Sequence, residues 1–209
     1  MKIAIIGHGN VGGALALRWA DNGHDVVVGA RSQPNEKADA LAAKSEGRVR
    51  VTTIPDAIAA SEVVLLAVPW QAAEEAVRGM GDLGGRILVD AMNPWVYGER
   101  LTVGFTTSGA EEIAGWATSA RVVKAMNQTG FETMLDPSFG EARATMFVAA
   151  DDDEARATVV GLVEGIGFEA LGVGGIASAR LLEPHAALWI DLALRHGQGR
   201  DFAWGILRR

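Results

Sequence analysis

Six consecutive residues near the amino terminus carry the clearest chemistry in the chain. Gly7, His8, Gly9, Asn10, Val11 and Gly12 read Gly-x-Gly-x-x-Gly, and a glycine turn that leads into a helix presents backbone N–H groups to an anion. Gly7 permits the tight turn, Gly9 lets the backbone approach a diphosphate, and Gly12 lets the helix pack against the preceding strand. A bare glycine turn has the same letters, so the flanking elements decide between the two. Where a site for NAD places an acid against the ribose 2′-hydroxyl, this chain has Gly29, Ala30, Arg31 and Ser32. No carboxylate repels a phosphate there, and a guanidinium with a hydroxyl suits one. The expected cofactor is therefore NADP(H) rather than NAD(H), the alternative being an Arg31 solvated in its loop.

Ligands of open parallel sheets lie at the carboxyl ends of the strands, which singles out Ala67, Val68 and Pro69 after one apolar run and Asn93 after another. Backbone atoms of the first three would pass the ribose and nicotinamide, and Asn93 would bond the ribose or the carboxamide. Asn127, after a third run, points the same way, although both asparagines also suit ordinary turns. No side chain stands out as a proton donor. The sole tyrosine, Tyr97, is followed four positions later by Leu101, so the Tyr-x-x-x-Lys pair of the short-chain dehydrogenases is absent. His8, His24, His185 and His196 lack metal-ligand spacing and read as structural, His185 least so, while Lys124 is either a candidate acid or a solvated lysine. A missing acid is intelligible if the hydride partner is itself a redox coenzyme, whose ring takes up hydride without a protein donor. The acidic run Asp151, Asp152, Asp153 and Glu154 lies between a strand and an apolar helix, and reads as a helix cap rather than a metal site.

These residues need a frame that brings strand ends together. Residues 2–6 are mostly apolar and end in glycine, residues 11–22 have helical composition closed by Gly23, and residues 25–29 form a second apolar run. That is a βαβ unit, the setting that favours the dinucleotide reading of the glycine motif. Further strands are expected at 48–52, 63–68, 86–90, 121–125, 145–150 and 168–173, with helices at 34–44, 55–60 and 70–80. Continuous apolar strands alternating with helices imply the α/β class: a Rossmann-type, doubly wound, mainly parallel sheet. The expected division is an NADP-binding domain over residues 1–173 and a small helical extension over 174–209, interrupted at Pro184. So short an extension cannot bury a core alone.

The chain has 209 residues, 26 glycines, no cysteine and a formal charge of -7. Without cysteine there is no disulfide scaffold, thiol nucleophile or thiolate metal site. An acidic balance argues against nucleic acid as a partner, and no apolar run reaches the roughly 20 residues of a membrane helix. The amino-terminal apolar run stops at Gly7, too early for a secretion signal, so a cytoplasmic location is expected. Trp189, Leu192, Leu194, Phe202, Trp204 and Ile206 exceed what a thin helical tail hides on one domain. A homodimer is expected from them, with packing across the cleft as the alternative. Arg195, Arg200, Arg208 and Arg209 would hold an anionic coenzyme tail or form a solvated face.

The opening GHGNVGGALALRWADNGHDVVVGARS, the strand ends LAVPW and VDAMNP, the segment RVVKAMNQ and the closing LLEPHAALWIDLALRHGQGRDFAWGILRR together resemble the NADP-dependent oxidoreductases related to coenzyme F420-dependent NADP reductase. The resemblance runs in order through nearly the whole chain. It implies hydride transfer between NADP(H) and an 8-hydroxy-5-deazaflavin coenzyme, a small-molecule redox partner. It also implies diphosphate binding from Gly7 to Val11, 2′-phosphate binding at Arg31 and Ser32, and nicotinamide contacts at Ala67, Val68, Pro69 and Asn93. The deazaflavin would use the segment holding Gly174, Ile176, Arg180 and Leu181, beside Asn127. His8 stands where a small hydroxyl residue is common in the reductase, and the extension carries Pro184, His185 and several tryptophans. These departures bear on the second substrate: a flavin or ferric chelate acceptor and a non-catalytic NADP(H) sensor are the alternatives.

Overall fold

Strand β1 (Lys2–Ile6) is buried over four of its five residues, as a central strand covered on both faces requires. The computed structural model describes residues 1–96 and 101–209; Tyr97 lies outside the described residues. After β1 come α1 (Asn10–Asp21), β2 (Asp25–Ala30), α2 (Glu36–Lys44), β3 (Val49–Thr53), α3 (Ile54–Ala59) and β4 (Val63–Leu66). A 3-10 turn at Trp70–Ala72 leads into α4 (Ala73–Gly79) and β5 (Ile87–Asp90), followed by α5 (Gly109–Trp116) and β6 (Arg121–Lys124). The remainder is α6 (Phe131–Leu135), β7 (Ser138–Phe139), β8 (Ala142–Arg143), β9 (Thr145–Val148), α7 (Asp153–Gly165), β10 (Glu169–Gly172), a 3-10 turn at Ile176–Ser178 and α8 (Ala179–Leu194).

Strands β1 to β6 form one sheet in the order β3-β2-β1-β4-β5-β6, with every pairing parallel. The chain reverses direction of growth between β1 and β4, and a crevice opens at such a switch point beyond the carboxyl ends of the strands. Alternating side chains fill two layers. Ile3, Ile5, Val26, Val28, Val63 and Leu65 meet Leu15 and Trp19 of α1 and Val159 and Leu162 of α7. Ala4, Ile6, Val64, Leu66 and Leu88 meet Ile58 of α3, Val77 of α4 and Ile113 of α5. The Trp19 indole N–H donates to the carbonyl of Leu162 at 3.2 Å and so joins α1 to α7 across the first layer.

Three features differ from the sequence expectation. The runs at 145–150 and 168–173 do not extend the main sheet in parallel: β9 and β10 pair parallel with each other. They reach β6 only through an antiparallel bridge between Lys124 and Ala149, because residues 145–150 run opposite to β6. Helices α5 and α6 are not among the expected elements; α5 is set by Ser108, whose hydroxyl accepts the Glu111 N–H. Helix α8 continues through Pro184 rather than breaking there. An interior proline costs about 3 kcal/mol, and burial of Leu182, Ala186 and Trp189 on α8 opposes that cost. The acidic run behaves as expected: Asp152 caps α7 by accepting the Ala155 N–H at 2.7 Å. Among the described residues no helix is long and apolar enough to cross a membrane.

Candidate active site

The glycine turn is built tightly against β4. Gly7 has φ of +97°, and a Cβ there would lie 2.4 Å from the Ala67 carbonyl oxygen. A Cβ on Gly12 would fall 1.8 Å from the Gly7 carbonyl oxygen, so α1 can start only over a glycine. The third glycine differs: nothing lies within 4 Å of a Cβ on Gly9, which leaves the approach to the turn open. Helix α1 begins after Gly9, its N-cap, with no side-chain cap and no acid in its first turn. Its N–H groups and positive dipole end are therefore directed at that open side, an arrangement suited to a diphosphate.

Arg31 and Ser32 follow β2 directly and are exposed, beside the start of α2. The α2 cap, Asn35, accepts the Ala38 N–H at 3.1 Å and lies 3.1 Å from His8 Nε2 through the same oxygen. His8 thus links the glycine turn to the loop after β2, a tie that its place in the glycine motif did not disclose. The other end of the site is a cleft of about 330 Å³. Val11 forms one side; Ala67, Val68, Pro69, Trp70 and Gln71 form a second; Ala91, Met92, Asn93 and Trp95 form the third. The cleft sits at the ends of β1, β4 and β5, and the strand ends stay in register there: the Ala67 N–H donates to Ile6 O and the Ala91 N–H to Leu66 O. Trp70, Gln71 and Trp95 were not anticipated from sequence, although Trp70 and Trp95 each stand within a few residues of a strand end. Trp95 also lies under the Arg195 guanidinium at 5.8 Å, which joins the cleft rim to the end of α8.

Asn93 and Asn127 are brought together. The Asn93 amide donates to the Asn127 backbone carbonyl at 2.8 Å, and the Asn127 amide donates to Asn93 Oδ1 at 2.9 Å. Gln128 donates to Asn127 Oδ1 and to the Phe147 carbonyl. Asn127 is buried behind Asn93, which lines the cleft. Gly174, Ile176, Arg180 and Leu181 lie on the turn into α8 and on its first turn, apart from the residues lining the cleft. Ile176 is buried, and Leu181 is 73% exposed. Arg180 makes a two-pronged contact with Glu111 of α5 at 2.9 and 2.6 Å. That hydrogen bonding holds the Glu111 carboxyl below its ordinary pKa.

Lys124 is neither solvated nor placed in the cleft. It is fully buried with Asp90 and Glu183, its Nζ lying 2.9 Å from a carboxylate oxygen of each. The same Nζ donates to the Met92 carbonyl at 2.5 Å. Burial alone would lower the Lys124 pKa, but attraction from Asp90 and Glu183 overcomes it and leaves the pKa raised. Glu183 also accepts the N–H groups of Gly109 and Ala110 at 2.8 and 3.1 Å and so caps α5. Asp90 accepts the Met92 N–H at 2.9 Å. Sequence gave no sign of this triad, since its members lie on β5, β6 and α8.

The tail packs on its own chain. Trp189 stacks on Phe202 at 5.2 Å, and its indole donates to the Phe202 carbonyl. His185 lies between Phe147 and Trp204, and burial pushes its pKa below the ordinary value. Arg195, Arg200 and Arg208 contact Asp191, Glu132 and Glu169 respectively, rather than gathering as an uncompensated basic patch. Among the described residues no group of three or more metal-ligating side chains occurs.

Comparison with known proteins gives concordant results. Residues 2–94 match the family model described as NADP oxidoreductase, coenzyme F420-dependent. The chain is 32% identical to the F420-dependent NADP reductase of Methanothermobacter thermautotrophicus, over 94% of this chain and 90% of that protein. A crystal structure from Arthrobacter sp. FB24, described as an F420-dependent NADP-reductase, superposes with a TM-score of 0.89 at 30% identity, covering 100% of both chains. Metalloreductase STEAP3 of Rattus norvegicus is 31% identical over 87% of this chain, a match that spans 36% of that protein.

Proposed function

We propose, because this chain belongs to the coenzyme F420-dependent NADP oxidoreductase family, that it passes hydride between NADP(H) in the crevice and a deazaflavin laid against the nicotinamide. The observation that carries the reading is the open glycine turn: α1 has an uncapped N-terminus over Gly9, with the cleft beside it and Arg31 and Ser32 after β2. N–H groups of the α1 start would hold the diphosphate, and Arg31 with Ser32 would hold the 2′-phosphate. Ala67, Val68, Pro69 and Asn93 would border the nicotinamide, with Trp70 and Trp95 excluding water from its face. When bound, NADPH supplies the hydride, two electrons and one proton leaving its ring carbon together; the proton that completes reduction of the acceptor comes from solvent. The protein contributes proximity and orientation, and no side chain of the cleft is assigned as an acid or base.

Residues 1–173 bind the nucleotide in this reading. The segment 174–209, with Gly174, Ile176, Arg180 and Leu181 leading into α8 and Asn127 behind Asn93, supplies the acceptor side. Leu181, Leu188 and Leu194, exposed by 73, 50 and 55%, support association of two copies through α8; light scattering at micromolar concentration would give twice the chain mass. A cytoplasmic location accords with a soluble coenzyme partner. The test of function is a mixture of the protein, NADPH and one oxidised acceptor, followed by absorbance. Turnover with the deazaflavin supports the reading. Turnover with a ferric chelate alone would favour the second reading, which the similarity to a metalloreductase motivates. Tight NADPH binding without any turnover would favour a sensor.

A further inference from the structure

The floor of the cleft is held by groups buried behind it. Met92 and Asn93 line the cleft, and each is fixed from the side of β6. Both peptide groups of Met92 are bound by charged side chains: its N–H donates to Asp90, and its carbonyl accepts from Lys124. Asn93 is bound reciprocally by Asn127. Lys124 in turn contacts Glu183, which belongs to α8 and also caps α5. A single ammonium group therefore touches the cleft floor, the sheet and the helix that begins just beyond Gly174 and Ile176. An ion triad of this kind is weak support for stability, because apolar residues of the same volume usually serve as well. Its geometry offers what apolar packing does not: directional bonds that fix the position of one carbonyl relative to one helix.

We infer that Lys124 is a positioning residue. It acts through the Met92 carbonyl and through Glu183 to set the nicotinamide floor against the acceptor-side helix. This rests on the placement of the nicotinamide in the cleft proposed above. Alignment of donor and acceptor rings governs a direct transfer step, so loosening Met92 degrades the step more than it degrades nucleotide affinity, which resides in the phosphates. Diphosphate and 2′-phosphate contacts lie at the glycine turn and the loop after β2, on the far side of β1.

Lys124→Met alone leaves Asp90 and Glu183 facing a buried gap and risks failure to fold. The informative variant is Asp90→Asn combined with Lys124→Met. It keeps an acceptor for the Met92 N–H, leaves Glu183 on the α5 N–H groups, and removes the ammonium from both the Met92 carbonyl and Glu183. Two readouts are taken on this variant and its parent, both with NADPH. The first needs no acceptor: the emission lifetime of the bound dihydronicotinamide, with its dissociation constant. A shortened lifetime at a dissociation constant within about twofold of the parent is expected. The second is the single-turnover rate of NADPH oxidation by the deazaflavin, together with its primary deuterium isotope effect. A fall of about tenfold or more and a more strongly temperature-dependent isotope effect are expected. An unchanged lifetime, or a dissociation constant that rises in step with the lost rate, would overturn the positioning role. If the parent does not oxidise NADPH when the deazaflavin is supplied, the hydride-transfer reading falls, and the lifetime still decides whether Lys124 orders the ring.

Discussion

Removing the ammonium of Lys124 tests how the buried triad is balanced. Lys124→Met keeps the chain length of the side chain but leaves two carboxylates, Asp90 and Glu183, at 0% exposure with their cation gone. Asp90 retains the Met92 N–H, and Glu183 retains the N–H groups of Gly109 and Ala110. Breaking a buried ion pair from one side costs about 3 to 5 kcal/mol. For a chain of this size that corresponds to a fall in Tm of about 6 to 20 °C. The pH dependence follows from the raised pKa of Lys124. A group whose folded value lies above its unfolded value stabilises fully below the unfolded value and loses that contribution only as pH rises through the folded one. Lys124 is thus charged throughout the neutral range, and its contribution to the stability of the parent stays constant from about pH 6 to about pH 9. Thermal unfolding followed by circular dichroism measures it. Adding Asp90→Asn removes one of the two uncompensated carboxylates and recovers part of the loss. A Lys124→Met variant within about 1 kcal/mol of the parent, below the range for an uncompensated buried charge, would show that Lys124 does not compensate the two carboxylates.

Other substitutions separate folding from binding. Gly9→Ala meets open space and costs stability about 1 kcal/mol or less, yet its methyl group obstructs the diphosphate, so the NADPH dissociation constant rises at least tenfold by fluorescence titration. Gly12→Ala behaves oppositely: its Cβ clashes with the Gly7 carbonyl, and the loss is seen first as a lowered Tm in the absence of nucleotide. Arg31→Ala removes charge-assisted bonds to the 2′-phosphate, each about 1.5 to 3 kcal/mol, and lowers the preference for NADPH over NADH by about tenfold or more, read from kcat/KM with each nucleotide; an unchanged preference would exclude Arg31 from the site. Glu111 has a depressed pKa because of Arg180, so the stability it contributes is present above its unfolded value and is lost as pH falls through the folded one. Urea unfolding of Arg180→Ala and parent should therefore differ at neutral pH and begin to converge as pH falls below about 4, the ordinary carboxylate range.

The frame was legible wherever one local pattern sufficed. Residues 2–30 spell their own βαβ unit because the apolar runs, Gly7, Gly12 and Gly23 all act within neighbouring residues, and α1 lies within one residue of its expected bounds. The capping role of Asp152 is local in the same way. Direction of pairing is not local. Residues 145–150 are as apolar as a sheet strand, but only the path of α6 and the β7–β8 hairpin decides that they meet β6 antiparallel. Nor is charge balance local: Lys124 reads as a candidate acid or a solvated lysine until Asp90 and Glu183 arrive from 34 and 59 residues away in sequence. Asn93 and Asn127 both suited a turn or a ligand, and their reciprocal bonds depend on β5 and β6 being neighbours. His8 gained its partner, Asn35, from the loop that follows β2.

Direct hydride transfer between the two rings is the centre of the account, and a labelled donor tests it. NADPH carrying deuterium at the transferred position of its nicotinamide is mixed with the protein and the oxidised deazaflavin, and the reduced product is analysed by mass spectrometry. Direct transfer leaves one deuterium in each reduced deazaflavin, with one NADPH consumed per product. Product carrying only solvent hydrogen, or no product while NADPH remains tightly bound, would contradict it.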